Sequence, residues 1–212
     1  MSSRTDSDGS KPTAELPPAE GFARSLQSGG GLPVAVATIE FVRSLHFTLL
    51  ETFGDDTQDV LYRLGYEWGL REMTALHSRL REKSGKPGEL WQMEVKTVLE
   101  AWWAPLLAGG WGAWTLTSTS KARGISAVEM RNSIVAAALP GADFPVCHLY
   151  AGLFAGGLSF LERAERHGVE ITCRAVGDAA CTFIIAPAGD VDPVETWRQQ
   201  GVAAPEIIGR LR

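Results

Sequence analysis

The sequence predicts an α+β fold in which N-terminal helices pack on an antiparallel sheet built from two hairpins. Apolar residues recur at helical spacing through the first half of the chain. Two β-like stretches follow Gly109-Gly110, and a further helix separates them from a second pair of strands. The order is therefore helices, hairpin, helix and hairpin, which is typical of an α+β protein.

Three helices are predicted before the first hairpin, at about residues 34–54, 57–83 and 89–108. The second helix starts at Asp55-Asp56-Thr57, which has the residue types of an N-cap. It carries Gly65 and Gly69 four positions apart, a small-residue track that allows close helix approach or leaves room for a bound molecule. Pro105 is expected to bend or end the third helix because proline has no backbone N–H.

The second half of the chain is expected to supply the sheet. The predicted strands are residues 111–119, 125–132, 169–176 and 180–186, with turns at Lys121–Gly124 and Gly177-Asp178. Between the two hairpins, a helix is predicted from about Phe144 to His167, closed by Gly168. A short helix is predicted near residues 193–200. The expected organisation is a flexible leader (1–32), one ligand-binding domain (33–190) and a C-terminal tail (191–212).

Composition excludes several classes of protein. The chain has 20 basic and 25 acidic residues, a formal charge of −5, so a nucleic-acid partner is not expected. The leader lacks the apolar core of a signal peptide, and charged residues interrupt every long apolar region, so no membrane span is expected. A cytoplasmic protein is the resulting prediction. In that compartment, cysteines are thiols or metal ligands more often than disulfides.

The three cysteines of the chain, Cys147, Cys173 and Cys181, all lie in its last third. In a hairpin centred on Gly177, Cys173 and Cys181 lie opposite each other, close enough for both to ligate one metal ion. Glu170 is an odd number of residues from Cys173, so it can join them only through a bulge or bend near Thr172, or from a position where the chain leaves the helix. Spacing alone leaves a disulfide or two inert thiols as alternatives.

Residues 141–185 resemble the C-terminal core of the 4-vinyl reductase domain family. The resemblance rests on Cys147 before a Gly-rich helix, the strand Val169-Glu-Ile-Thr-Cys173, and Gly177-Asp-Ala-Ala-Cys-Thr-Phe-Ile-Ile185. The family includes the sensor domains of phenol- and xylene-responsive activators, and its fold is similar to that of vesicle-tethering TRAPP subunits. The resemblance implies a structural Zn²⁺ held by Cys147, Glu170, Cys173 and Cys181. It also implies a homodimer, for which the Gly65/Gly69 track is a candidate contact surface.

Aromatic residues are concentrated in the middle third of the chain and predict an apolar ligand pocket with a few polar groups. The predicted pocket residues are Tyr62, Tyr66, Trp102, Trp103, Trp111 and Trp114. His46 and His77 are candidate polar groups in it. For any single Trp, a place in the hydrophobic core is the alternative interpretation. The resemblance favours a cavity between the helices and the sheet.

The sequence favours a binding protein over an enzyme, because it has no nucleotide-cofactor fingerprint, P-loop or nucleophile elbow. The principal hypothesis is a stand-alone sensor or carrier for an aromatic, hydrocarbon-like or tetrapyrrole molecule. A second hypothesis is an accessory or reductase-like protein of bacteriochlorophyll biosynthesis. A third is a dimeric protein-interaction module.

Overall fold

The computed structural model describes residues 37–84 and 89–212, which form a four-stranded antiparallel sheet with helices on both faces. The strands are β1 (Ala113–Ser120), β2 (Ile125–Arg131), β3 (His167–Thr172) and β4 (Cys181–Ala186). The helices are α1 (Ile39–Phe53), α2 (Thr57–Ser84), α3 (Val95–Ala108), α4 (Ile134–Ala138), α5 (His148–Glu162), α6 (Ala188–Gln199) and α7 (Ala204–Arg210). Short 3₁₀ turns lie at Gly54–Asp56, Leu90–Gln92 and Arg174–Val176. The predicted α+β fold is confirmed.

The sheet has the strand order β1-β2-β4-β3, so each predicted hairpin is present and the two hairpins join through β2 and β4. In that central pairing, Val128 lies opposite Phe183. Alternate residues of β4 face opposite sides, as the period of two along a strand requires. Phe183 and Ile185 belong to the larger apolar cluster, and Ile184 belongs to the smaller one.

Each face of the sheet has its own hydrophobic core. The larger core lies under α5 and includes residues of α2 and α3. The smaller core lies under α6 and α7, where Val194 and Ile207 are fully buried. The C-terminal helices therefore complete the second face of the sheet. The predicted leader (1–32) lies outside the described residues.

Helices α2 and α5 run parallel and pack closely through glycines on both partners. A Cβ atom added at Gly65 would lie 2.0 Å from the carbonyl oxygen of Leu149, and one at Gly152 would lie 2.0 Å from that of Tyr62. Gly69 and Gly156 repeat this arrangement one turn later, at 2.2 and 2.1 Å. Close helix approach at the Gly65/Gly69 track is thus confirmed. The track as a dimer contact surface is wrong, because α5 of the same chain covers it.

Two predicted helix ends are wrong. Helix α5 ends at Glu162 rather than near His167, because Arg163 adopts a left-handed conformation (φ 52°) and the Ala164 N–H bonds back to the Ser159 carbonyl. Gly168 instead lies in β3. The third predicted helix (α3) begins at Val95 rather than at residue 89, because the Glu94 side chain caps it there. Pro105 lies inside this helix and does not end it, since the helix continues to Ala108.

Other boundaries differ by less. The first helix begins at Ile39, capped by Thr38. The predicted strand 169–176 stops at Thr172, because the chain turns into a 3₁₀ conformation at Arg174. Helices α4 and α7 were not predicted from the sequence, since five and seven residues are too few for a clear helical period. Among the described residues, no helix has the length and apolar character needed to cross a membrane.

Replacing Gly65 by alanine is expected to lower the free energy of unfolding by about 3 kcal/mol, because the added methyl overlaps the Leu149 backbone and the two helices must separate. Urea denaturation measures this change. Gly189→Ala is the matched control, since its Cβ would meet nothing within 4 Å. Equal stability of the two variants would contradict the close packing of α2 and α5.

Candidate metal centre

Four buried side chains converge where α5 begins, between β3 and β4. Cys147, Cys173 and Cys181 are fully buried and Glu170 is 3% exposed. The sulfur of Cys147 lies 3.9 Å from that of Cys173 and 3.7 Å from that of Cys181, and the remaining sulfur pair is 4.0 Å apart. One ligand atom from each of the four residues lies within 4.8 Å of the others.

Cys147 and Glu170 are brought together by the start of α5 and an irregularity in β3. Cys147 occupies the N-cap position of α5, where the helix dipole favours a negative charge. Its backbone N–H donates to Glu170 Oε2 at 2.8 Å. The register of β3 against β4 shifts between Glu170 and Thr172, which confirms the bulge predicted near Thr172. The bulge allows Glu170 and Cys173, an odd number apart, to reach the same centre.

The turn after β3 positions Cys173 and Cys181. Thr172 pairs with Thr182, the register predicted for a hairpin centred on Gly177, and Cys173 leaves the ladder one residue later. The Cys173 N–H donates to Asp178 Oδ2 at 2.8 Å. Gly177 holds φ at 105°, a conformation that glycine tolerates without strain. The backbone N–H of Arg174 donates to the Cys181 sulfur at 3.4 Å, so this turn also supplies a hydrogen bond to a candidate ligand.

The four residues fit a closed metal site. Thiolates on one tetrahedral ion with metal–sulfur bonds of about 2.3 Å lie about 3.8 Å apart, which matches the observed sulfur separations. None of the three cysteines is in a disulfide. Glu170 Oε1 is buried and has no hydrogen-bond partner among the described residues, so it is free to be the fourth ligand. Three sulfurs and one oxygen complete a tetrahedron and leave no position for a reactive water.

The electrostatics of the cluster require a cation if all four groups are to ionise. Burial raises the pKa of the Cys147 thiol and of the Glu170 carboxyl well above their ordinary values. Hydrogen bonds from the Cys147 and Cys181 thiols lower the pKa of Cys173. Without a cation, burial therefore opposes ionisation of Cys147 and Glu170. A bound divalent cation reverses this effect because it attracts every ligand in its charged form.

The model of the V4R domain matches residues 127–187, a segment that includes all four candidate ligands. Over this segment the chain is similar to the V4R domain. The resemblance to the 4-vinyl reductase domain family is thereby confirmed. Comparison with curated protein sequences finds no match.

Solved structures with a similar fold include the phenol-responsive sensory domain of the transcription activator PoxR with phenol. It has a TM-score of 0.60 and 17% sequence identity, and the alignment covers 85% of this chain and 95% of that one. A trafficking protein particle complex subunit 3 from Naegleria fowleri, covalently bound to palmitic acid, has a TM-score of 0.48 and 15% identity, covering 70% and 91% of the two chains. The PoxR comparison establishes a shared fold.

The predicted pocket residues lie in two places. Trp102 and Trp103 are 4% and 2% exposed, and Trp103 Nε1 donates to the Gly112 carbonyl at 2.8 Å. Trp111 and Trp114 are half-buried beside the same core. Along α5, aromatic partners follow one another: Trp103 and Trp111 lie beside Tyr150, Trp103 and Trp114 beside Phe154, and Trp91 beside Phe160. We call this set the aromatic row.

Tyr62 and Tyr66 lie instead on the other side of α2, where they line a cleft of about 200 Å³ together with Glu165 and His167. Each hydroxyl also has a structural partner. The Gly168 N–H donates to the Tyr62 oxygen at 3.1 Å, and the Tyr66 hydroxyl donates to the Ser159 oxygen at 3.2 Å. The six residues therefore do not line one common cleft, and the pocket stays a prediction.

A larger cleft of about 360 Å³ opens between α2, α5, β3 and α6, and Tyr62, His148 and Glu170 are part of its wall. His148 Nε2 lies 2.9 Å from the Pro145 carbonyl, and burial lowers the pKa of this imidazole. His77 lies on α2 beside Trp91 of the aromatic row, and His46 lies on α1 beside Phe47. The two candidate polar groups of the pocket are thus on different helices.

Purified protein is expected to contain about one equivalent of metal per chain, measured by inductively coupled plasma mass spectrometry. Cys147→Ser removes one of three sulfur ligands, so it is expected to abolish retention of the metal and to lower the thermal midpoint by roughly 10 °C. Val194→Ala, which opens a cavity in the smaller core, serves as the control that loses stability while keeping the metal. Metal-free wild-type protein whose midpoint is unaffected by Cys147→Ser would rule out the site.

Proposed function

We propose that this protein binds a small aromatic molecule and that its metal centre is a structural Zn²⁺ site. The observation that carries the binding proposal is Trp111 Nε1, a buried N–H in the aromatic row with no partner among the described residues. An unpaired buried donor costs about 1–3 kcal/mol of stability. A ligand oxygen that accepts a hydrogen bond from Trp111 Nε1 would recover part of this free energy as binding affinity. A metal ion held by four protein ligands would have no open coordination position, so the proposed ligand site is separate from the metal centre.

Zinc is proposed on the chemistry of its ligands. Three thiolates and one carboxylate form a soft donor set that prefers Zn²⁺ over Mg²⁺ or Ca²⁺, which bind through oxygen. A tetrahedral arrangement suits an ion with no electronic preference for another geometry. The ion in this position would join the start of α5 to β3 and β4. Its role would be to stabilise the domain.

The environment of Trp111 favours an aromatic ligand. Its ring centroid lies 5.4 Å from that of Trp68 and 6.4 Å from that of Tyr150. Beside the other end of the row, His77 Nε2 is also buried and has no partner in the part of the chain that the structure describes. Its ring lies between Trp91 (4.8 Å) and Phe160 (5.8 Å). A flat apolar ring with one polar substituent complements either location. The sensory domain of PoxR, which shares the fold, is described in complex with phenol.

Comparison of phenol with toluene separates the contribution of the hydrogen bond to the binding free energy from that of the apolar ring. Both compounds have the same ring, and phenol carries a hydroxyl where toluene carries a methyl. The zinc-loaded protein is expected to bind phenol, with tryptophan fluorescence as the measurement. Trp111→Phe is expected to raise the Kd for phenol about fivefold, the value of one hydrogen bond, and to leave the Kd for toluene unchanged.

Trp114→Phe is the matched control, since Trp114 is half-buried in the same row and contacts Phe154. An equal loss of phenol affinity in both variants would remove Trp111 as the hydrogen-bond donor. Failure of both compounds to bind wild-type protein would overturn the proposed ligand class.

We also propose that the protein is a homodimer that associates through α1. Among the described residues, five of the ten large apolar side chains that are exposed lie on this helix: Ile39, Phe41, Phe47, Leu50 and Phe53, at 42–58% exposure. Only Val42 of α1 is buried. A second copy would cover this apolar surface, which is unusually rich for one helix of a monomer. Cytoplasmic location is a further proposal, consistent with three free thiols.

Wild-type protein is expected to sediment as a dimer at micromolar concentration. Phe47→Glu combined with Phe53→Glu is expected to give a monomer, because two charges would be buried at the interface. Leu107→Glu is the control, since Leu107 is equally exposed (51%) but lies at the end of α3. A monomeric wild type, or a double variant that remains dimeric, would contradict association through α1.

A further inference from the structure

A buried hydroxyl lies against one sulfur of the metal centre. Ser133 is 1% exposed, and its Oγ is 3.4 Å from the sulfur of Cys147. Ser133 belongs to no predicted motif, and it precedes Cys147 by fourteen residues in sequence. It stands at the start of α4, which the sequence analysis did not predict. The contact therefore joins the centre to an element outside β3, β4 and α5.

The direction of this hydrogen bond follows from the second partner of Ser133. The hydroxyl oxygen accepts the backbone N–H of Ala136 at 3.1 Å and so caps α4. Its own hydrogen then needs an acceptor, because an unused buried donor is costly. The Cys147 sulfur is the partner within reach that the structure gives for it. The hydroxyl is thus arranged to accept from α4 and to donate to Cys147.

We propose that Ser133 is a positioning residue of the metal centre, donating a hydrogen bond to the Cys147 thiolate and thereby coupling α4 to metal binding. This inference rests on the proposed structural zinc site. A thiolate accepts hydrogen bonds more strongly than a neutral thiol, so the contact strengthens when Cys147 binds the ion. Together with the Arg174 N–H on Cys181, it gives two of the three sulfurs an outer hydrogen-bond donor.

The contact between Ser133 and Cys147 also links the metal centre to α1. Helix α1 packs on α4, and Arg43 Nε donates to the Ala138 carbonyl at 2.9 Å. Ala138 is the last residue of α4, and Ser133 caps its first turn. An ordered α4 therefore supports the helix that carries the exposed apolar surface. Ser133 is therefore one connection between the metal centre and α1.

Ser133→Gly tests the donor role, because glycine has no hydroxyl and is tolerated at an N-cap. With cobalt(II) in place of zinc, the thiolate-to-cobalt charge-transfer band is expected to move to longer wavelength in this variant. Transfer of zinc to a chromogenic chelator is expected to accelerate about tenfold. In wild-type protein, amide hydrogen exchange of residues 134–138 is expected to slow on metal loading, and Ser133→Gly is expected to remove that difference.

Ser133→Thr, which keeps a hydroxyl, is expected to restore the band and the zinc transfer rate. Thr38→Gly is the matched control, since Thr38 caps α1 through the Phe41 N–H and its capping bond does not involve a cysteine. Ser133→Ala provides a second hydroxyl-free variant if Ser133→Gly does not fold. A wild-type spectrum in both hydroxyl-free variants, or the same shift in Thr38→Gly, would overturn the role of Ser133. Wild-type protein that binds neither cobalt nor zinc would overturn the zinc site as well.

Discussion

The burial of four acidic groups at one point is the constraint on which the rest of the domain depends. Cys147, Glu170, Cys173 and Cys181 come from a helix start, a bulged strand, a turn and a second strand, and all are withdrawn from water. Without a cation, their mutual repulsion and burial oppose ionisation. With one, the same proximity becomes a cross-link between distant segments of the chain. The local irregularities of the fold, the bulge and the 3₁₀ turn, lie where this convergence needs them.

The position of α5 follows from constraints on both of its sides. Its first turn is held to the sheet edge by Cys147, whose N–H bonds to Glu170. Its glycine-lined face allows α2 to approach to backbone contact, which larger side chains would prevent. With these two faces fixed, the remaining face carries Tyr150, Phe154 and Phe160, the α5 residues of the aromatic row. Helix α5 therefore packs against the sheet edge and α2 on two sides, and its candidate ligand contacts lie on another side.

The sequence predicted those features of the fold that rest on local pattern. The helical spacing of apolar residues predicted α2, and Gly177-Asp178 predicted the turn between β3 and β4. The odd spacing of Glu170 and Cys173 required a bulge, which the structure contains. It failed where the residue pattern does not reveal the backbone conformation. Helix α5 ends in a left-handed Arg163, a conformation that non-glycine residues rarely adopt and that composition does not reveal.

Contacts between residues far apart in sequence explain which features of the candidate site the sequence did not predict. Ser133 has no spacing relation to the ligands, because it reaches Cys147 only through the packing of α4. The tryptophans are indistinguishable in sequence, yet Trp103 Nε1 has a carbonyl partner and Trp111 Nε1 has none within residues 37–84 and 89–212. Whether an indole belongs to the core or is available to a ligand depends on a hydrogen bond across the fold. A side-chain count therefore predicts an aromatic interior but not which ring has an unused donor.

The proposed metal centre would also influence binding of the proposed ligand, because a bound ion would fix the geometry of the neighbouring helix. Tyr150 follows Cys147 by one helical turn and donates from its hydroxyl to the Trp111 carbonyl at 2.7 Å. Burial raises the pKa of the Tyr150 phenol well above its ordinary value, so this hydroxyl keeps its hydrogen and remains a donor at neutral pH. The segment held by the metal ligands therefore also holds the backbone of Trp111. Loss of the ion would release the first turn of α5 and, through Tyr150, the residue that the proposed ligand contacts.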